Sequence, residues 1–134
     1  MRFDSSGDKS CMLFGQPERS TGDYTQRGDV FLFVTHRPDE TSFDKVSYET
    51  GYTYQKDSRV SIRIKDASFE LYTDGTAAWT LSVADDIALV EAMRRGATMI
   101  VEGTSSRGTL TTDEFSLRGF TAGHRAIGRS CGRP

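Results

Sequence analysis

Cysteine and histidine have the widest chemical range of the side chains here, and the chain holds two of each: Cys11, Cys131, His36 and His124. A thiolate can act as nucleophile or metal ligand, but it needs a base or further ligands nearby. Neither cysteine has such a neighbour in sequence. Two well-separated cysteines and no others fit an exported domain with a structural disulfide, Cys11 to Cys131, better than a cytosolic metal or redox motif. Reactive thiols are the alternative. A histidine-based metal site or triad requires His36 and His124 to converge with a carboxylate or a nucleophile. His36 follows an apolar strand beside Arg37, and His124 sits beside Arg125. Separate, solvated or hydrogen-bonded surface histidines are expected, with no metal site.

The remaining candidates are weighed the same way. Asp85, Asp86 and Glu91 resemble an acid–base set, yet their positions match the first turn and solvent face of a helix. Asp113 and Glu114 lie in a threonine-rich strand and read as a polar edge. The run Gly103-Thr104-Ser105-Ser106-Arg107-Gly108-Thr109 has the small residues of a phosphate loop. It lacks the Gly-Lys-Ser/Thr ending and a following helix, so a β-turn is expected. Arg27-Gly28-Asp29 matches an adhesion tripeptide that also arises by chance. Tyr48, Tyr52, Tyr54 and Tyr72, with Trp79, make the middle of the chain rich in aromatics. Core and sheet packing is the default for them. Tyr48, Tyr52 and Tyr54 are the candidate binding surface, Tyr52 and Tyr54 best placed because alternate residues of an extended segment face one way. No catalytic residue and no cofactor are assigned.

The elements that would position these groups are mostly strands. Cys11–Phe14 and Val30–Val34 are apolar runs, the second continuous enough to predict burial on both faces. Lys45–Thr50 is a weaker strand. Arg59–Lys65 alternates, with Val60, Ile62 and Ile64 on one side, and Phe69 and Leu71 continue the pattern. Asp74-Gly75 marks a hairpin turn into Ala77–Leu81. Ser82 and Asp85 start a helix whose stripe is Val83, Ile87, Val90 and Met93, with Gly96 just past its end. Strands follow at Met99–Val101 and Thr109–Leu117, and a second helix spans about 121–131. Glu18–Gly28 reads as a surface loop and residues 1–10 as a flexible segment, leaving 11–134 as one domain. Many short strands with closely spaced turn signals predict an antiparallel β-sandwich of about seven to nine strands, jelly-roll or immunoglobulin-like, with two short helices.

At 134 residues and 14.9 kDa the chain is long enough for a real core. Seventeen basic against nineteen acidic residues give a formal charge of −2, which does not favour nucleic acid or an anionic membrane as main partner. The longest apolar run is far too short to span a bilayer. Asparagine is absent, which excludes N-glycosylation. The start Met1-Arg2-Phe3-Asp4 has no apolar leader; the cysteine usage favours an export signal that has been removed, and a cytosolic protein is the alternative.

A set of motifs in fixed order adds to this reading. They are Phe69-Glu70-Leu71-Tyr72-Thr73-Asp74-Gly75, Ala78-Trp79, Glu91-Ala92-Met93-Arg94-Arg95-Gly96, the Gly103–Thr109 run and Phe115-Ser116-Leu117-Arg118-Gly119-Phe120. With Arg27-Gly28-Asp29 leading into an apolar strand, and both cysteines, the chain resembles the invasion-associated locus B family over about residues 11–132. These are small exported proteins of alphaproteobacteria. The positions that carry the likeness best are Trp79, Gly96, Gly103, Arg107, Gly108, Phe115, Gly119 and Phe120. The resemblance implies a periplasmic or secreted β-sandwich, associated in some pathogens with host-cell entry, and supplies no catalytic residue. The front departs from the family, which presents an aromatic strand and a leader before its first cysteine, and some members carry further cysteines. The expected function is a non-enzymatic interaction domain with a protein partner in the envelope or on a host cell. A module binding a glycan or small ligand is the alternative, and an enzyme the third.

Overall fold

Alternation of inward and outward side chains governs nearly every strand. The structure, a computed structural model, describes the backbone of residues 2–5 and residues 10–132 in full. Among the described residues ten strands form: β1 (Arg2–Ser5), β2 (Cys11–Gly15), β3 (Arg19–Gly22), β4 (Phe31–Arg37), β5 (Ser42–Glu49), β6 (Arg59–Ile64), β7 (Ala67–Asp74), β8 (Ala77–Thr80), β9 (Thr98–Thr104) and β10 (Leu110–Ser116). All pair antiparallel in one sheet of order β1-β2-β4-β5-β8-β7-β6-β9-β10-β3, curled into a half-barrel. Two helices, α1 (Val83–Arg95) and α2 (Phe120–Ser130), complete the fold.

The expected sandwich is thus corrected to a single curled sheet. Alternation shows that each strand buries one face; it does not say what covers that face. Here the curl of the sheet itself and the two helices replace a second sheet. Leu13, Leu32, Val34, Val46, Tyr48, Val60, Ile62, Leu71, Val101 and Phe115 point into the core, where they meet Leu89, Val90 and Met93 of α1 and Phe120 and Ile127 of α2. The run Val30–Val34 is not buried on both faces. Leu32 and Val34 go inward, while Phe31 and Phe33 stack at 5.6 Å on the convex side and Phe14 meets Phe31 edge-on at 6.2 Å.

Two edge strands lie where loose chain was expected. In β1, Arg2 pairs with Phe14 and Ser5 with Cys11; in β3, Arg19–Gly22 pairs with Glu114–Thr111. Edge strands need only backbone N–H and C=O groups, so polar side chains conceal them. Within the expected flexible segment, residues 1 and 6–9 lie outside the described residues.

The Oγ of Ser82 accepts from the Asp85 N–H at 3.1 Å, capping α1 as its sequence predicts. The stripe is rotated, however: Val83 and Ile87 are exposed, and Asp86, Leu89, Val90 and Met93 are buried. Asp86 is corrected accordingly from solvent face to anchor. Its carboxylate accepts from the Val46 N–H at 3.0 Å and the Thr80 hydroxyl at 2.5 Å, fastening α1 to β5 and β8. Gly96 ends the helix with φ −92°, so glycine is needed there for space: a Cβ would stand 2.5 Å from Ile64 Cγ2. Cys11 and Cys131 form the expected disulfide, joining β2 to the end of α2.

Candidate functional site

Besides the Asp86–Thr80 anchor, polar residues of the described chain gather on the inner face of the sheet at two further places. The first is built on Arg27, which the 23–30 segment directs inward. That segment is pinned by the Gly28 N–H, which donates to the Gly51 carbonyl at 2.8 Å. Gly51 has φ +80°, and a Cβ on it would collide with the Gly28 carbonyl, so only glycine lets the two loops meet. Arg27 then donates from both terminal nitrogens to the two Asp113 oxygens at 2.8 Å, and from Nε to the Thr50 carbonyl at 2.8 Å. The two side chains are 4% and 1% exposed. Burial opposes the guanidinium charge, but the bidentate Asp113 carboxylate outweighs it and holds Arg27 above its ordinary pKa. Asp113 is therefore corrected from polar edge to buried counter-ion. Arg27-Gly28-Asp29 does not present its arginine to a receptor.

The tyrosines gather around this pair. The Tyr48 hydroxyl donates to Asp113 Oδ2 at 2.5 Å, and its ring meets Phe115 edge-on. Burial first, and the neighbouring Asp113 charge second, push the Tyr48 phenol well above its ordinary pKa. Burial likewise raises Tyr54. Tyr52 and Tyr54 do face one way, 5.4 Å between ring centroids, but that way is inward over Gly103, where a Cβ would lie 2.9 Å from the Tyr54 ring. Tyr48 is 1% and Tyr54 5% exposed, which removes both from the expected binding surface. Tyr52 remains a candidate. Its ring lies 4.9 Å from the Arg27 guanidinium, with Tyr24 on the same cation at 5.5 Å, and its hydroxyl meets Thr111 Oγ1 at 2.6 Å. Tyr24, Gln26, Tyr52, Ser106, Arg107 and Thr109 line a cleft of about 340 Å³ above this layer. Its far wall is the Ser105–Thr109 turn, where Ser105 Oγ accepts from the N–H groups of Arg107 and Thr109 and Gly108 takes φ +83°. The turn is thus a β-turn, as expected, with two of its N–H groups already engaged.

The second place lies near the disulfide. Between Thr35 and Arg37 the β4–β5 ladder shifts register, and Asp44 adopts φ 57°. This bulge aims Asp44 between the two histidines. The Asp44 N–H donates to His36 Nδ1 at 3.0 Å, and Asp44 Oδ1 meets His124 Nε2 at 2.7 Å. The two rings lie 5.8 Å apart, and Phe120 stacks on His124 at 6.0 Å. The expectation of separate surface histidines is corrected: His36 is 1% exposed and converges with His124 across one carboxylate. These groups border a cleft of about 470 Å³ whose rim carries Arg94, Arg125 and Arg129. The His124–Asp44 pair can hold or pass a proton, but no hydroxyl or thiol lines the cleft among the described residues. Ligand atoms of His36, Asp44 and His124 lie within 4.8 Å of one another. They fit a metal poorly, because the His36 Nδ1 lone pair already accepts an N–H and three guanidinium groups oppose a second cation.

Comparison with protein families gives a match over most of the chain. The model described as "Invasion associated locus B (IalB) protein" covers residues 3–128, nearly the whole chain. The chain belongs to the invasion-associated locus B family. Neither the curated proteins nor the solved structures provide a match. Most positions that carry the likeness to invasion-associated locus B proteins support the fold. Gly103 makes room for the Tyr52 and Tyr54 rings, Gly108 turns the β9–β10 hairpin, and Gly119, at φ +84°, starts α2. Trp79 pairs with Tyr72 on the convex face, and Phe115 packs on Tyr48 in the core. Arg107 lines the first cleft itself, and Phe120 stacks behind His124 at the second.

Asp44 and Tyr24 escape the sequence reading, and Arg27 enters it only within the Arg27-Gly28-Asp29 tripeptide, not as the partner of Asp113. His36 and Asp113 carried a usable signal, since each continues the inward phase of its strand, after Leu32 and Val34 and before Phe115.

Proposed function

We propose that this member of the family is an exported interaction domain without enzymatic activity, which binds a protein partner in the envelope or on a host cell through the cleft of Tyr24, Tyr52 and Arg107. The observation that carries this is the stack of Tyr52 and Tyr24 against a buried, ion-paired Arg27. Aromatic rings fixed before contact lose little conformational freedom on binding, which is what makes aromatic anchors dominate interfaces. Serine and threonine hydroxyls and Arg107 supply a polar rim. Export is supported by the Cys11–Cys131 bond. No helix among the described residues is long and apolar enough to cross a membrane. A role in invasion would extend to this chain what the family's name describes.

A second reading is favoured by the same cleft: tyrosine faces beside clustered hydroxyls also suit a sugar ring. The test separates the two. Oxidised protein coupled to a solid support is exposed to envelope and host-cell extracts and, in parallel, to a glycan array. Tyr24→Ala and Arg107→Ala, both at exposed or rim positions, are expected to leave the melting temperature nearly unchanged. Each should weaken binding of a captured protein by about 2 kcal/mol, roughly thirtyfold, if it is an anchor of the interface. Unchanged capture by both variants removes the cleft from the interface; glycan binding alone that both variants lose establishes the second reading.

A further inference from the structure

We propose that the other cleft, between α2, the end of α1 and the β4–β5 bulge, binds a phosphoryl group. Three features point there. Arg125 and Arg129 stand four residues apart on α2, hence on one face, and neither has an ion-pair partner among the described residues. Arg94 adds a third guanidinium from the last turn of α1, where Glu91 meets it at 3.5 Å. The carboxylate on the floor, Asp44, is held by His124 at 2.7 Å and by the bulge, so it faces His124 rather than standing as an open negative charge.

The chemistry of the rim selects the ligand. Two unpaired guanidinium groups match a dianion, and their planar forks suit the spread oxygens of a phosphate monoester. A chain of formal charge −2 does not draw anions to its surface generally, so this concentration of positive charge is local. His124 fits as the reader of the group. Asp44 takes Nε2 and Phe120 stacks on the ring, which fixes its plane before a ligand arrives. The disulfide, which anchors the end of α2 to β2, holds the helix that carries Arg125 and Arg129.

The phosphoryl group can belong to a small soluble molecule or to a lipid headgroup, and the experiment distinguishes them. Inorganic phosphate is titrated into the oxidised protein at constant ionic strength, followed by nuclear magnetic resonance of the arginine and histidine side chains. Vesicles containing phosphatidic acid are compared with vesicles of phosphatidylcholine alone by co-sedimentation. The expected result is saturable binding that shifts His124 and loses roughly tenfold or more in affinity in the Arg125→Gln/Arg129→Gln double variant. Both residues are exposed, and unchanged circular dichroism verifies that the variant folds. Saturation by inorganic phosphate assigns the soluble source; selective sedimentation with phosphatidic acid alone assigns the headgroup. The proposal is overturned by no binding in either arm, by binding that the double variant retains, or by saturable zinc binding that shifts His36 and His124 with phosphate having no effect. None of these outcomes depends on the first cleft.

Discussion

Removing the Asp113 carboxylate would leave the Arg27 guanidinium buried without its counter-ion and the Tyr48 hydroxyl without its acceptor. Breaking a buried pair from one side typically costs about 3–5 kcal/mol, more than the intact pair contributes. Asp113→Ala should therefore lower stability by about that amount, measured by urea unfolding, and Arg27→Met in the same chain should recover part of the loss. A result near zero would place the pair in water rather than in the core. Tyr48 and Tyr54 carry a pH signature. Below about pH 10 folded and unfolded chains both keep the phenol protons; above it the unfolded chain sheds them first, because burial raises both phenols in the fold. Stability is thus complete below that value and falls as pH rises beyond it. Thermal melts from about pH 8 to about pH 11 should show this loss, with a shallower slope in Tyr48→Phe. Equal slopes would show that Tyr48 does not contribute. At this scale the sequence yields residue types but not encounters. Arg27 and Asp113 are 86 positions apart, and no local pattern announces that they meet.

Elements were easier to read where a period of two or a cap decides them. The cap of α1 at Ser82 and the alternation of β6 are plain in the sequence. The buried face of α1 was not, because Asp86 is a carboxylate that the fold turns inward to hold β5 and β8. A polar anchor rotates a helix away from its most apolar stripe. The glycines of α2 lower its intrinsic helicity, yet Gly123 lets the helix approach Leu13 of β2 more closely than a side chain would permit. The clasp at its end should matter accordingly. With the two cysteines 120 positions apart, reduction should cost on the order of 4–5 kcal/mol in the chain-entropy model. Melting with and without reductant checks this, alongside intact mass, which should rise by the mass of two hydrogen atoms on reduction. Two alkylatable thiols without reductant, or identical melting in both states, would contradict it.

For the whole molecule, the mainly antiparallel class and two helices were legible, and the closure was not. Strand periodicity records which side of each strand avoids water; whether that side meets another sheet, a helix or the same sheet curling round depends on twist and strand order, which a single sequence does not encode. The curl brings polar groups together in the two clefts described above, one at the loops around Arg27 and one at the β4–β5 bulge. Their separation lets the Tyr24–Arg107 cleft and the Arg125–Arg129 cleft be altered independently, and each carries its own test.

The placement of β3 beside β10, of α2 against β1 and β2, and of Cys11 with Cys131 ties the beginning of the chain to its last part. During synthesis β3 therefore emerges long before its partner β10 exists, and β1 and β2 long before α2 can cover them. Pairings of such large sequence separation form slowly, since the closing entropy is met before any contact repays it. No early portion of this chain contains a complete core, and one sheet edge stays open until β10 arrives. The architecture thus imposes a schedule: the chain stays pliable while it is incomplete, and it becomes rigid only after β10, α2 and Cys131 have joined what came before them.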